Sequence, residues 1–268
     1  LDANTTASNN TAVGDSALTA NTTGADNTAV GARSLDANTT GAGNTAMGED
    51  SLSANTTAND NTAIGQNTLK TNTTGTKNVA VGLSALTTNT TANDNTAVGG
   101  ISLRDNTTGS FNTALGKAAL ANNTTASNNT AVGKDSLAAN TTGASNVAVG
   151  ATALDANTTG ASNTAIGFES LTTNVAGSKS VAVGTGSLSD QNPSSASDMF
   201  NTAVGFNAAA SVTTGTSNTT VGGLSLDANT TGSSNTALGR SAMSANTTGG
   251  DNTSVGRGSM SSSTTGST

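Results

Sequence analysis

The side chains best equipped for chemistry are hydroxyls and carboxylates, and neither kind has a partner to work with. Ser and Thr recur throughout, but the 268-residue chain has no His and no Cys, so a hydroxyl nucleophile finds no base beyond scattered lysines. The 16 Asp and Glu residues occupy no fixed column of the sequence, and Glu49, Asp50 and Asp105 read as corner residues rather than converging acids. Composition rules out thiolate metal sites, and neither a Gly-Gly-x-Gly-x-Asp calcium repeat nor an EF-hand loop occurs. The expectation is a protein without catalysis, cofactor or metal. Two regularities remain. Asn-Thr-Thr is an N-glycosylation sequon, repeated at Asn21, Asn38, Asn55 and beyond, and the same three residues also suit corner and strand geometry. Rows of Thr suit an ice-binding face, but the two Thr of each Asn-Thr-Thr are adjacent and would point to opposite sides of a strand.

What positions these residues is a repeat. The glycines of an Asn-Thr-Ala-Val-Gly motif fall at Gly14, Gly31, Gly48 and onward to Gly256, always 17 residues apart except for the 21 between Gly184 and Gly205. With that Asn as position 1, the consensus is N-T-A-V-G-x-x-(A/S)-L-x-x-N-T-T-(G/A)-x-x. A strict register with 9% charged and 1% aromatic residues argues against both a globular core and a disordered chain. Two large apolar residues per 17, five apart, make no helical stripe, whereas short strands joined by tight corners fit. The fold class expected is all-β: a β-solenoid, or β-roll, of about fifteen 17-residue coils over residues 1–268. At about 4.8 Å per coil it would run roughly 70–75 Å.

Size suggests which residues face inward. Position 4 is large and apolar in every copy (Val13, Val30, Ile64, Val98, Val132), as position 9 nearly always is (Leu18, Leu35, Leu69, Leu103, Leu137), so both are expected in the coil interior. Position 3 is Ala in thirteen of fifteen copies, among them Ala12, Ala29, Ala46 and Ala63. Strand alternation would then put this small column, and the Ala, Ser or Thr of position 8, on an outer face closely approached by another copy. The invariant Gly of position 5 is expected to supply a backbone angle or a close approach open to no other residue. Of the 25 charged residues, 24 sit in the variable pairs between these columns, which read as solvated corners. The extra residues at 189–200 must loop outward, and Asp190, Pro193, Asp198 and Phe200 make that loop a candidate contact site.

A formal charge of −7 gives no basic footprint for nucleic acid, and no apolar run approaches the ~18 residues of a membrane span. The chain opens inside a repeat at Leu1, which reads as a segment of something longer.

The segments Asn10 to Gly14 and Ala17 to Gly24, with their copies, resemble the head repeats of YadA-like trimeric autotransporter adhesins. They are also similar to repeats in phage-tail-fibre-like surface proteins that end in an endosialidase-type intramolecular chaperone. The resemblance covers essentially the whole chain, although the 17-residue period is longer than the adhesin head repeat. It implies a homotrimer of left-handed β-rolls displayed on a cell or virion surface. The function expected is a structural and adhesive shaft segment of an extracellular fibre, with a receptor or glycan bound at a tip elsewhere. The competing readings are a monomeric solenoid with a flat face for ice or glycan, and a subunit stacking end to end into a filament.

Overall fold

A computed structural model describes residues 2–266. It is an all-β parallel solenoid with 17-residue coils and, among the described residues, no helix. Leu1, which continues the position-9 column, lies outside the described residues. The chain forms two compact units, Leu1–Asn129 and Thr130–Thr268.

In the first unit, seven three-residue strands pair in parallel and in sequence order: β1 (Thr11–Val13), β2 (Thr28–Val30), β3 (Thr45–Met47), β4 (Thr62–Ile64), β5 (Val79–Val81), β6 (Thr96–Val98) and β7 (Thr113–Leu115). Each residue sits over its counterpart one period away, Thr62 on Val79 and Ala63 on Ala80 for example. In the second unit, β8 (Thr130–Val132), β9 (Val147–Val149), β10 (Thr164–Ile166), β12 (Val181–Val183), β14 (Thr202–Val204), β15 (Thr219–Val221), β16 (Thr236–Leu238) and β17 (Thr253–Val255) do the same. A second two-stranded ladder pairs β11 (Gly177–Ser178) with β13 (Ser197–Asp198) at the insertion.

The corners between strands are as regular as the strands. Positions 7, 9 and 17 are left-handed in coil after coil even where the residue is not glycine, as at Arg33 (φ 53°), Leu35 (φ 53°) and Asp26 (φ 58°). A left-handed non-glycine residue costs about 1–2 kcal/mol, so the neighbouring coils must hold it there. They do so through backbone ladders on every wall: Leu35 N–H donates to the Ser51 carbonyl, Arg33 N–H to Asp15, and Thr39 N–H to Thr56. The position-5 glycine has two reasons to be invariant. At Gly48, φ is 132°, and a Cβ added there would meet the Gly65 carbonyl carbon at 2.6 Å. At position 15 the approach of the next coil is as close, but the glycines there carry no left-handed φ, and Ala58 and Ala92 take their place and remain buried.

The interior corrects one inference from size. Leu18, Leu35, Leu69, Leu103 and Leu137 are fully buried, as expected. Opposite them the wall is made of position 3: Ala29, Ala46 and Ala63 are fully buried and Ala12, in the first coil, half-buried. Position 8 is interior too, where the Ser51 Oγ–H donates to the Gly48 carbonyl at 2.9 Å. Val13, Val30, Ile64, Val98 and Val132 face outward instead. Strand alternation holds, but its phase is the reverse of the one size suggests. A 17-residue coil encloses a narrow lumen. Once a leucine fills it from one side, the opposing strand is held to small residues, Ala in most coils and Thr220 and Ser254 in two.

The rest of the interior is polar. The asparagines of positions 1 and 12 are buried in two ladders. Asn38 Nδ2 donates to Asn21 Oδ1 and to the Gly41 carbonyl, each at 2.9 Å, while Asn38 Oδ1 accepts from Asn55 Nδ2 at 2.9 Å. In the second ladder the Asn44 backbone N–H donates to Asn27 Oδ1, and Asn44 Nδ2 donates to the Ala58 carbonyl. Each amide therefore bridges its own corner and the next coil, so burying it leaves few groups unpaired.

Candidate functional site: an uncharged Thr-x-Val face

With Ala turned inward, each three-residue strand presents its first and third residues to the outside. In register, these make two parallel columns, Thr or Val at position 2 and Val, Ile, Leu or Met at position 4. No residue of either column is charged and none is buried. In the second unit the face comprises eight strands, with Ile166, Val204, Val221 and Val255 its most exposed large side chains. An ordered apolar stripe of this kind marks an interaction surface more often than scattered exposed aliphatics do.

Apart from Asp198 in β13, charge is confined to the corners. Arg33 reaches Asp50 (Nε to Oδ1, 2.6 Å) and Glu49 (Nη2 to Oε1, 2.9 Å), and Lys70 closes on the other Asp50 oxygen at 3.0 Å. Hydrogen bonds from Arg33 and then Lys70 hold the Asp50 carboxyl below the usual carboxylate range. Asp36 and Asp227 shift upward instead, because partial burial disfavours their charge. Among the described residues, no group of three or more acids gathers as a cation site and no enclosed pocket forms. Glu49, Asp50 and Asp105 are each engaged by a neighbouring cation.

The sequons divide by burial. Asn21, Asn38 and Asn55 are fully buried within the ladder, out of reach of a glycosylating enzyme once the coil is formed. The Thr of position 13 is likewise tied inward, Thr22 Oγ1–H donating to the Thr39 carbonyl at 3.0 Å. Three further sequons, Asn9-Asn10-Thr11, Asn122-Asn123-Thr124 and Asn128-Asn129-Thr130, lie out of phase with the Asn-Thr-Thr motif, and the first Asn of each is exposed.

The insertion is more tightly fastened than an open loop. Asp190, Asp198 and Phe200 are exposed, but Pro193 and Met199 are buried. Gln191 occupies the position-12 site of the ladder, and Ser180 is the single break in the position-1 Asn column. The two departures fit each other. Gln191 Oε1 accepts from Ser180 Oγ (3.1 Å) and Asn201 Nδ2 (2.9 Å), while its Nε2 donates to Asn174 Oδ1 (3.3 Å). The longer amide fills the space left by serine and carries the ladder through the irregular coil.

No protein-family model matches the chain, and no curated protein matches it.

Proposed function

We propose that the chain is a structural and adhesive shaft segment of an extracellular fibre, built from copies of itself, three in the arrangement that the resemblance implies. The observation that carries this reading is the Thr-x-Val face. The interior is built mainly from Leu, Ala, Ser and Asn, while the aliphatic residues of position 4 stand outside in one uncharged plane, flanked by charged corners. Half-exposed side chains of valine and threonine size offer on the order of 100 Å² per strand. Eight strands therefore offer about 800 Å² per copy, the size of one side of a standard specific interface. Stacked coils joined to their neighbours by backbone ladders suit a load-bearing rod, since each coil is held by the one before and the one after. Display outside the cell or virion, and a receptor or glycan at a tip elsewhere, follow from the resemblance and belong to the same proposal.

The test is the mass of the soluble particle by native mass spectrometry. The reading expects a small multiple of the 25.5 kDa chain, three copies for the trimer, reverting to a folded single chain in a Val149→Lys, Val183→Lys variant. A wild-type monomer at micromolar concentration would overturn it. The same face also favours a second reading, because two columns of aligned Thr and Val form a regular plane that an ordered surface such as ice or a crystalline glycan would match. Thermal hysteresis from a monomeric protein would select that reading. Long fibres in electron micrographs would instead indicate stacking end to end.

A further inference from the structure

A shaft built from identical coils has a register problem. If copies associate through the Thr-x-Val face, sliding one copy by a single coil exchanges Thr for Thr or a similarly sized Val, and one aliphatic side chain for another, so the face by itself discriminates only weakly between registers. Repeating interfaces settle such ambiguities with a few non-repeating side chains. Here the non-repeating side chains sit at the edges of the face, at position 17 just before the strand and position 6 just after it.

Three of the four phenylalanines in the chain occupy those edges in the second unit. Phe168 follows β10, while Phe200 precedes and Phe206 follows β14. They are 49%, 54% and 58% exposed, against the habit of aromatic rings to seek cover. The equivalent edge residues of adjacent coils are small or polar: Lys179 and Thr185 beside β12, Ser217 and Gly223 beside β15. The Phe200 ring is also held in place. Lys179 Nζ lies 5.2 Å from its centroid and is itself fixed by Asp198 at 2.7 Å. β14 is thus the one strand of its unit with an aromatic ring on both edges.

We propose that Phe200 and Phe206 form an inter-chain register lock whose partner is a second copy of this chain, a proposal that rests on the self-assembly reading above. When copies are related by rotation about the stacking axis, the leading edge of one face meets the trailing edge of the next. Phe200 of one copy then meets the partner's Phe206 only when the two chains are level. A slip of one coil sets Phe200 against the partner's Thr185 or Gly223, and the paired rings return to water. The two rings add roughly 200 Å² of apolar surface to the aligned state alone. In the first unit, Phe111 and Lys117 flank β7 in the same way and would meet as a cation and ring in the same aligned state.

Because the chain has no cysteine, register can be read by crosslinking. Two tagged chains, one Ser217→Cys and one Gly223→Cys, are co-expressed and treated with a short bis-maleimide. These positions flank β15 and meet when the copies are level. A second pair, Ser217→Cys with Arg240→Cys, meets only after a slip of one coil. In chains with both phenylalanines, the level pair is expected to crosslink at least tenfold more than the slipped pair. In Phe200→Ser, Phe206→Ser chains the ratio is expected to fall several-fold, the Phe111 and Lys117 pair keeping a residual preference, while native mass stays that of the assembly. Equal crosslinking of both pairs in the unmodified background, or an undiminished preference in the double variant, would overturn the lock and leave the assembly intact. A monomeric mass for every protein would instead overturn the assembly itself, and the lock with it.

Discussion

Exchanging one methyl-sized difference between adjacent residues tests the phase of the whole fold. Ala63 is fully buried in a column with Ala46 and Ala80 one coil to either side, and Ile64 next to it is 38% exposed. Ala63→Val adds two methyl groups where the strands above and below lie about 4.8 Å away and the lumen is already filled by leucine. Overpacking of this kind costs typically 1–3 kcal/mol. Ile64→Thr keeps the branched side chain that a strand favours and places its hydroxyl in water, for under about 1 kcal/mol.

A repeat array does not melt as one unit, so a single midpoint would blur the difference. Amide hydrogen exchange reads it locally. The reporters are Thr62 N–H, which donates to the Asn78 carbonyl, and Gly65 N–H, which donates to Met47. At 2 kcal/mol, Ala63→Val raises their exchange roughly 30-fold, whereas Ile64→Thr raises it less than about fivefold, with all proteins compared at the same particle mass. A silent Ala63→Val beside an Ile64→Thr that opens the coil would show that the large residues face inward after all.

The polar interior makes two further predictions and the charged corners one. Asn38→Ala removes the donor to Asn21 Oδ1 and breaks the ladder at that coil, while the Gly41 carbonyl keeps Asn27 Nδ2 and Asn55 Nδ2 keeps the Ala58 carbonyl. At about 1–3 kcal/mol for a buried unpaired group, exchange of amides in the flanking coils should rise at least tenfold; unchanged protection would mean the ladder adds nothing. Gln191→Ala leaves the Ser180 hydroxyl without its acceptor and takes one bond each from Asn201 Nδ2 and Asn174 Oδ1, so limited proteolysis should begin cutting within 189–200. Gln191→Ala, Ser180→Asn should recover part of that resistance, and no recovery would separate the two departures. Lowering the pH protonates Asp50, whose folded pKa lies below its unfolded one. Its stabilisation is therefore complete above the unfolded carboxylate range near pH 4 and is lost as pH falls through the folded value. Arg33 and Lys70 are largely exposed, so the loss is below about 1 kcal/mol. Asp50→Asn should flatten that small acid limb in protection of β2–β4 amides, and an unaltered limb would place it elsewhere.

Period, strand class and the leucine wall were legible in the sequence because each rests on spacing. The phase of the strand was not, because it rests on volume, and volume depends on how wide the coil is. A column of alanine admits two explanations, an outer face approached by another chain or an inner wall with no room. Only the coordinates of Leu35 and Leu69 relative to Ala29 and Ala63 decide between them. The buried asparagines were hidden for a similar reason. Asn at a corner satisfies the local rules of turns whether its side chain points to water or to the next coil, and nothing within one repeat distinguishes the two. The partnership of Ser180 with Gln191 lies eleven residues apart, and it is visible as a partnership only once the ladder is known.

The reversed phase changes the physical case for self-association rather than removing it. Small outer residues would have permitted close approach of another chain but supplied little apolar surface to drive it. The observed arrangement supplies that surface, since every three-residue strand turns an aliphatic side chain outward, and the interior of each coil gains little beyond the position-9 residue, the small residues of positions 3 and 8 and its hydrogen-bonded amides. Each coil also holds left-handed non-glycine residues, at about 1–2 kcal/mol apiece. A coil with so small an apolar core, carrying that strain, depends on what lies beside it. The backbone ladders supply part of this support from above and below. Most of the remaining exposed aliphatic surface lies on the Thr-x-Val wall, and covering it with a second copy would stabilise each coil so covered. Association and folding would then be coupled, so stability should rise with protein concentration.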